Sequence, residues 1–409
     1  MSFRLKNITV VFILLLVSGK LLAQIPGHNA DERLRYTGGS ISTAVPFLLI
    51  SPDARAGALG DAGVASSPDI NSQHWNAAKY AFIDDQFGVS LTFSPWLRTL
   101  VPDMNLLYLA GYYRIDDDWV LGSSIRYFSL GKVVFRTDGD DQGTTYNPNE
   151  YAIDLSLSRK LSPNFSLAVA GRYIRSDLTM GYQGLGASRA SAANSGAVDI
   201  SMFYTREILT PNTEASSFAL GMNISNVGAK ISYSQGMDKD FLPANLRLGG
   251  SYTVQVDQYN EFTGMIDFNK LLVPTPPVRR NDTIIAGMDD NVGVIQGIFQ
   301  SFHDAPGGWR EEFHEVNISV GVEYLYNKTF AFRGGYFHES GHREFGKGGR
   351  QFFTLGAGLR FNVFEIDFSY LMPRQSNATN PLKNTLRFTL KFNFAEYIRR
   401  QNAQQLNTN

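Results

Sequence analysis

From about residue 87 almost to its end, this chain places an apolar side chain at every second position. Phe87, Val89, Leu91 and Phe93 alternate with Gly88, Ser90 and Thr92, and Ile153, Leu155 and Leu157 alternate with Asp154, Ser156 and Ser158. A period of two turns successive side chains to opposite faces of an extended strand. Each such segment therefore has one greasy face and one polar or small face. The pattern recurs at 107–113, 121–127, 167–173, 198–204, 218–224, 246–256, 262–268, 318–324, 330–336, 355–361, 364–370 and 386–394. That is about fourteen strands, near the ~10-residue length a tilted membrane strand needs.

Alternation alone fits two architectures. A soluble sandwich turns its apolar faces toward a core, whereas a transmembrane barrel turns them toward lipid. The connections separate the two. Short joins at Asp116–Asp118, Ser162–Asn164, Asp257–Asn260, Tyr326–Lys328 and Asn362 alternate with long ones at 131–149, 179–196, 228–243, 271–315, 338–350 and 373–384. Outer-membrane barrels sort their loops in this way, with brief periplasmic turns and long extracellular loops. The 29 Phe and 19 Tyr suit rings at a membrane boundary, and after residue 23 no stretch is apolar enough to cross as a helix. The expected fold is all-β: a transmembrane antiparallel β-barrel of about 14 strands occupying residues 86–394, with a polar C-terminal tail at 395–409.

What precedes the strands reads differently. Residues 1–23 carry Arg4 and Lys6, an apolar centre from Ile8 to Val17, and Ala23 at a cleavage point, the marks of a secretory signal peptide. Residues 24–85 form an irregular lead-in followed by a Gly/Ala-rich segment, Ser51 to Phe82. Gly57, Gly60 and Gly63 sit among many alanines there, so the backbone can approach another surface closely. A barrel of this size has a lumen wide enough for a folded-back segment. The expectation is a plug that enters from the periplasmic side, with Gly57, Gly60, Gly63, Trp75 and Asn76 as its characteristic residues.

Several motifs resemble chemical sites and lack their context. His338-Glu339-Ser340-Gly341-His342 matches HExxH, but zinc binding needs a helix to bring the two histidines together, and a strand pattern precedes it while glycines follow. Asp138 and Asp140 open a calcium-like loop whose twelfth position is Asn149, not a bidentate Glu. The glycines of the plug have the wrong spacing for a dinucleotide fingerprint. The chain has no cysteine, which excludes disulfides, thiolate metal sites and cysteine nucleophiles. A net charge of −1 argues against nucleic acid as a partner. These readings point to no enzyme, no metal and no cofactor. Polar-face charges at Asp154, Arg172, Glu365, Asp367, Arg387 and Lys391 are expected to line the lumen and pair there, fixing the plug.

The longest loop, 271–315, contains Pro274, Pro276 and Pro277, then Phe299, Phe302 and Trp309. Loops this long are usually functional or disordered, and bare aromatics on a surface mark contact sites. These six residues are the candidates for partner binding.

The reading ARAGALGDAGVA followed by HWNAA, together with the signal and the strands, resembles the FadL-like outer-membrane barrels and, among them, the PorV family of the type IX secretion system. Ala77-Ala78 departs from the Asn-Pro-Ala that often follows the tryptophan in relatives. The resemblance implies localisation in the outer membrane of a Bacteroidota cell and a protein-transport role. It also implies partners: the large translocon barrel, the C-terminal signal domains of secreted cargo, surface attachment proteins and outer-membrane lipid. An alternative is a FadL-like channel for hydrophobic small molecules, which expects an apolar pocket near the plug and a gap or kink in a strand.

Overall fold

The computed structural model describes residues 41–97, 103–136, 143–178, 191–208, 215–233, 239–280, 283–340, 349–374 and 385–394. The expected signal peptide, most of the lead-in and the C-terminal tail lie outside them. The strands, in chain order, are β1 (Phe87–Pro95), β2 (Asn105–Arg114), β3 (Trp119–Ser129), β4 (Val133–Phe135), β5 (Thr144–Tyr146), β6 (Asn149–Ser162), β7 (Phe165–Asp177), β8 (Ala193–Ile208) and β9 (Ala215–Gly228). There follow β10 (Asn245–Gln255), β11 (Asn260–Leu271), β12 (Val278–Arg280), β13 (Thr283–Ala286), β14 (Asn317–Tyr326), β15 (Phe330–His338), β16 (Gln351–Phe361), β17 (Phe364–Pro373) and β18 (Thr385–Asn393).

Fourteen of these close into one antiparallel barrel in which each strand pairs with its sequence neighbours and β1 pairs with β18. The pairs β4–β5 and β12–β13 are two-stranded ribbons within long loops. Closure leaves the barrel no open edge, the condition for crossing lipid with strands. The wall is uneven, since β8 has 16 residues and β15 has 9. Opposite the top of β8, strand β9 bulges: the register slips between Val198 and Ile200, and Asn226 takes a φ of 62°. The Asn226 amide donates to Asp199 at 2.8 Å, so the kink is closed by hydrogen bonds.

Burial runs opposite to that of a soluble protein. On β17 the apolar Phe364, Ile366 and Phe368 are exposed while Glu365, Asp367 and Ser369 are buried, and on β18 Phe388 is exposed while Arg387 and Lys391 are buried. The greasy face meets lipid and the polar face meets the lumen. Aromatic pairs line the outward face, as expected of a membrane girdle. Near the short turns Tyr204–Phe218, Phe262–Tyr324 and Phe364–Phe392 lie 5.7, 4.7 and 5.2 Å apart. Toward the long loops Tyr336 and Phe353 lie 4.9 Å apart, and midway along the wall Phe368 and Phe388 lie 5.3 Å apart.

The segment before β1 fills the lumen. The residues that would show the expected periplasmic entry lie outside the described ones, and the segment's first described residues lie at the mouth ringed by the long loops. There Ala44 donates to the Phe241 carbonyl, and Phe47 and Leu48 pack against Leu106, Phe128, Ile174 and Leu242. These residues all sit in or beside the connections of one end, which fixes the end. The chain then descends to Ile83, whose carbonyl accepts from Arg114 next to the short β2–β3 turn. A segment that must join β1 at its short-turn end, and that holds an apolar cluster under the outer loops, has to run downward.

On the way it forms two α-helices, α1 (Ala54–Ala58) and α2 (Ser72–Trp75), and a 3₁₀ turn from Ala77 to Phe82. Asp53 caps α1 by accepting from the Ala56 amide and also accepts from the Trp75 indole at 2.6 Å. The glycines lie where backbone meets wall. A Cβ at Gly57 would stand 2.6 Å from the Arg387 guanidinium, and one at Gly60 the same distance from the Tyr336 backbone. Gly60 also has a φ of +69°, which other residues seldom adopt. Gly63 lies under the Trp75 ring, and its amide and that of Val64 both donate to Asp267 at 2.7 and 2.9 Å. The Asn76 side chain donates to the carbonyls of Val64 and Met202.

Two expectations follow. Leu355 stands exposed in the outward face of β16, and Leu355→Arg should destabilise the folded barrel in bilayers by ~2–4 kcal/mol, read from denaturant titration. Gly335 of β15 touches the Gly60 backbone, so Gly335→Val should speed hydrogen exchange at Gly60 to Val64 at least ~tenfold while leaving the barrel amides protected. Unchanged exchange there would show that this contact does not hold the segment.

Candidate functional site

Many of the buried charges of the lumen fall into two networks. In the first, Arg172 donates to Asp154 at 2.5 Å and to Asp199 at 3.0 Å, and its remaining Nη1 reaches Asn226. In the second, Lys391 lies 2.7 Å from Asp367 and 2.9 Å from Glu365, and Arg333 bridges Asp367 and Glu323 at 2.5 Å each. Burying ions costs several kcal/mol each unless partners surround them, which is why acids and bases alternate along the network. Five of the six charges read from the sequence thus pair with neighbours along the wall. Two of the six also reach the segment: Arg387 lies 3.7 Å from Asp61 and Lys391 3.9 Å from Asp69.

The tie between wall and plug is made mainly by a residue the sequence reading passed over. Arg55 of α1 donates to Glu323 at 2.7 and 3.0 Å, to Asp69 at 3.1 Å and to Ser67. One guanidinium fork therefore joins α1, strand β14 and the loop before α2. The only signal for it was a charged residue inside a run of glycine and alanine. His74 and Lys79 were passed over for the same reason. His74 Nδ1 accepts from Arg126 at 2.5 Å, and Lys79 donates to the Gly63 carbonyl and to Ser66. Beside Arg55 lies a cavity of about 240 Å³, lined by Arg55, Asp69, Glu261, Glu323, Arg333 and Glu365. It is polar, whereas the channel reading expects an apolar pocket beside the plug.

The second candidate site lies at the opposite end of the barrel. The long connection between β11 and β14 has more internal structure than its sequence suggests: the ribbon β12–β13 and two short helices, α3 (Val294–Gln300) and α4 (Trp309–His314). Its base is tied to the rim by polar bonds. Lys270 at the end of β11 donates to Glu312 and Glu315 at 2.9 and 2.6 Å, Thr275 donates to Asp304 and Glu315, and Ala305 donates to Glu312. Burial, helped by the neighbouring Glu312 and Glu315, pushes the Asp304 carboxyl up to about 6. Burial likewise raises Glu315 above the ordinary range.

Of the six loop residues singled out from the sequence, the three aromatics stand outward and the prolines do not. Phe299 and Trp309 are 69% and 68% exposed, and Phe302 is 49% exposed. Pro274 and Pro277 are buried at the base and Pro276 is half-buried. Pro274 packs against Gly297 together with Phe241, so the prolines shape the loop from within. Ile295 and Phe313, which the sequence reading did not single out, join the exposed aromatics at 62% and 69%. Helix geometry brings them there: Ile295 and Phe299 are four apart on α3, as are Trp309 and Phe313 on α4. Trp309 and Phe313 meet edge to face at 5.9 Å.

The other motifs stay apart from both sites. His338 ends β15, and Glu339 pairs with Arg350 at 2.7 Å; His342 lies outside the described residues, as do Asp138 and Asp140. No helix carries the HExxH spacing as far as it is described, and no group of His and carboxylates able to hold a metal occurs among the described residues.

A search of curated proteins finds no match. Among solved structures, the toluene transporter TbuX of Ralstonia pickettii is similar at 11% identity and a TM-score of 0.43, covering 84% of this chain and 98% of that one. The Pseudomonas putida toluene transporter TodX gives 12%, 0.44, 84% and 98%, and a Pseudomonas aeruginosa FadL homologue gives 12%, 0.39, 87% and 100%. The family model described as type IX secretion system protein PorV matches residues 34–278, more than half of the chain. This outer-membrane barrel belongs to the PorV family of the type IX secretion system.

Proposed function

We propose that this protein receives the C-terminal signal domains of secreted cargo on its outer rim and works there with the translocon barrel and the surface attachment proteins. Its role is binding and hand-over, not catalysis. The observation that carries the reading is the aromatic face of α3 and α4. Ile295, Phe299, Trp309 and Phe313 project from a loop that is itself firmly anchored, so their exposure does not come from a loose chain end. Exposed rings on a rigid support are what a hydrophobic protein interface needs: large contact area at small entropic cost. Family membership supplies the class of partner, and the loop supplies a surface for it.

Replacing Phe299, Trp309 and Phe313 together by Ser should lower recovery of the translocon or cargo with the purified barrel by at least ~30-fold, since a buried aromatic anchor contributes ~2 kcal/mol or more. Pull-down from mildly solubilised outer membranes measures it. Full recovery would move the contact surface elsewhere, and recovery of the barrel alone from wild-type cells, with secretion intact after its deletion, would sink the reading.

The anchoring of this loop should depend on pH. Asp304 binds its proton more tightly in the docked loop than in a free chain, where its value is 3.8. Docking is therefore strongest below about 4 and weakens as pH rises through about 6, where the buried carboxyl must ionise. Hydrogen exchange at Thr275 and Ala305, corrected for intrinsic rates, should show more protection at the acid end of that window. Asp304→Asn should reduce the dependence and leave the part that comes from Glu315, which burial also raises.

A further inference from the structure

On the lipid-facing wall, strands β7 to β10 leave a shallow apolar groove of about 350 Å³. Its sides are Met202, Tyr204, Leu220, Met222 and Leu248, with Phe165 at its lower end. Phe165 opens β7 next to a short turn and pairs in register with Tyr204, while Met202 pairs with Met222 and Met222 with Leu248. The groove therefore starts at the periplasmic boundary of the membrane and rises toward its middle. Two positions below Tyr204 on the same outward face of β8 stands Arg206, which is exposed. The alternation of the strand places its cation at headgroup depth beneath the open end of the groove.

We infer that this groove and Arg206 together hold one phospholipid of the periplasmic leaflet, its phosphate at Arg206 and one acyl chain between Leu220 and Leu248. The groove is continuous with the bilayer, so hydrocarbon is its natural filling, and water would find no polar partners there. Within lipid no hydrophobic gain favours one apolar surface over another; what retains a chain is dispersion contact with a concave wall and a charge at the right depth. Two flexible methionine side chains let the walls follow a bent chain.

The position matters because the wall is thin behind it. Gly221 and Gly249 form the floor and carry no side chains inward, so Val64 of the plug rests on the inner surface of that floor. There the Asn76 amide spans from the Val64 carbonyl to the Met202 carbonyl at 2.9 and 2.8 Å. A single layer of backbone separates the bound chain from the plug. This inference depends on the outer-membrane setting alone and is independent of the cargo-binding reading.

Native mass spectrometry of the full-length protein, released from mild detergent after extraction from its own outer membranes, tests it. Wild type should retain one glycerophospholipid. Leu220→Trp, which fills the groove from outside and leaves the plug untouched, should reduce that retention at least ~tenfold, and Arg206→Gln should reduce it several-fold with the groove intact. Heat-dependent gel migration confirms that both variants are folded barrels. If Leu220→Trp does not fold, Arg206→Gln together with competition by added phosphatidylglycerol decides the matter. Retention of lipopolysaccharide in place of phospholipid would assign the groove to the outer leaflet and overturn the proposal. So would a wild type free of lipid, or equal retention in wild type and both variants.

Discussion

A closed sheet in hydrocarbon has one place for its polar side chains, and that place is the lumen. Every second residue of fourteen strands points inward, so the barrel must hold dozens of hydroxyls, amides and charges where bulk water is scarce. Such groups are costly unless each finds a partner. The lumen meets this requirement in two ways: its charges alternate in sign along the wall, as in the series Glu323, Arg333, Asp367, Lys391 and Glu365, and a length of chain fills the space between them. The plug is then less an added part than the remaining half of the interior. Its exposed backbone donors and acceptors answer wall side chains one by one, as when Thr389 accepts from Ala54, and Ser158 and Ser166 donate to Ala77 and Ala78.

This explains the composition of residues 51–82. A segment crossing a largely polar lumen has room for few long apolar side chains, and it cannot stand off from the walls without leaving voids. Small residues let its backbone bond directly to wall side chains, and glycine is needed at the few points where two backbones touch, such as Gly60 against Gly335. The larger side chains find small apolar clusters, as Leu59 does with Met265, and Ile70 and Tyr80 with Tyr112 and Phe203, and Trp75 is held by polar groups as well. Its ring covers Gly63 and lies 4.7 Å from the Arg247 guanidinium, and its indole nitrogen is taken up by Asp53.

The strands were legible because period two is a property of each segment by itself, and because lipid on one side and buried charge on the other sharpen the contrast between faces. Phe364, Ile366 and Phe368 opposite Glu365 and Asp367 need no knowledge of distant residues. The plug was legible as a composition but not as a path. Which end its first described residues occupy depends on where Phe47 and Leu48 find Leu106 and Phe128, and such long-range pairing leaves no mark in local sequence. Arg55 was hidden for a related reason: its partners, Glu323 and Asp69, are 268 and 14 residues away. In the long loop the aromatics were visible, but the inward turn of Pro274 and Pro277 was not. Proline is read from sequence as a marker of exposed turns, and here it packs against Phe241 and α3 because a loop seated on a barrel rim has an underside to fill.

The two ends of the barrel are therefore built to different rules. At the short-turn end, turns of a few residues are held by aspartate and asparagine side chains, as where Asp257 accepts from Tyr259 and Asn260, and little apolar surface is offered beyond the aromatic girdle. At the long-loop end, the polar bonds of Lys270, Thr275 and Asp304 are spent on seating a loop whose far side is bare phenylalanine and tryptophan. Because the wall is closed and the lumen occupied, a ring at the rim cannot relieve its exposure by folding into the barrel. Among the described residues nothing covers that face. The same polar accounting that fills the lumen from within thus leaves, among the described residues, an outer rim where burial is still to be gained by association.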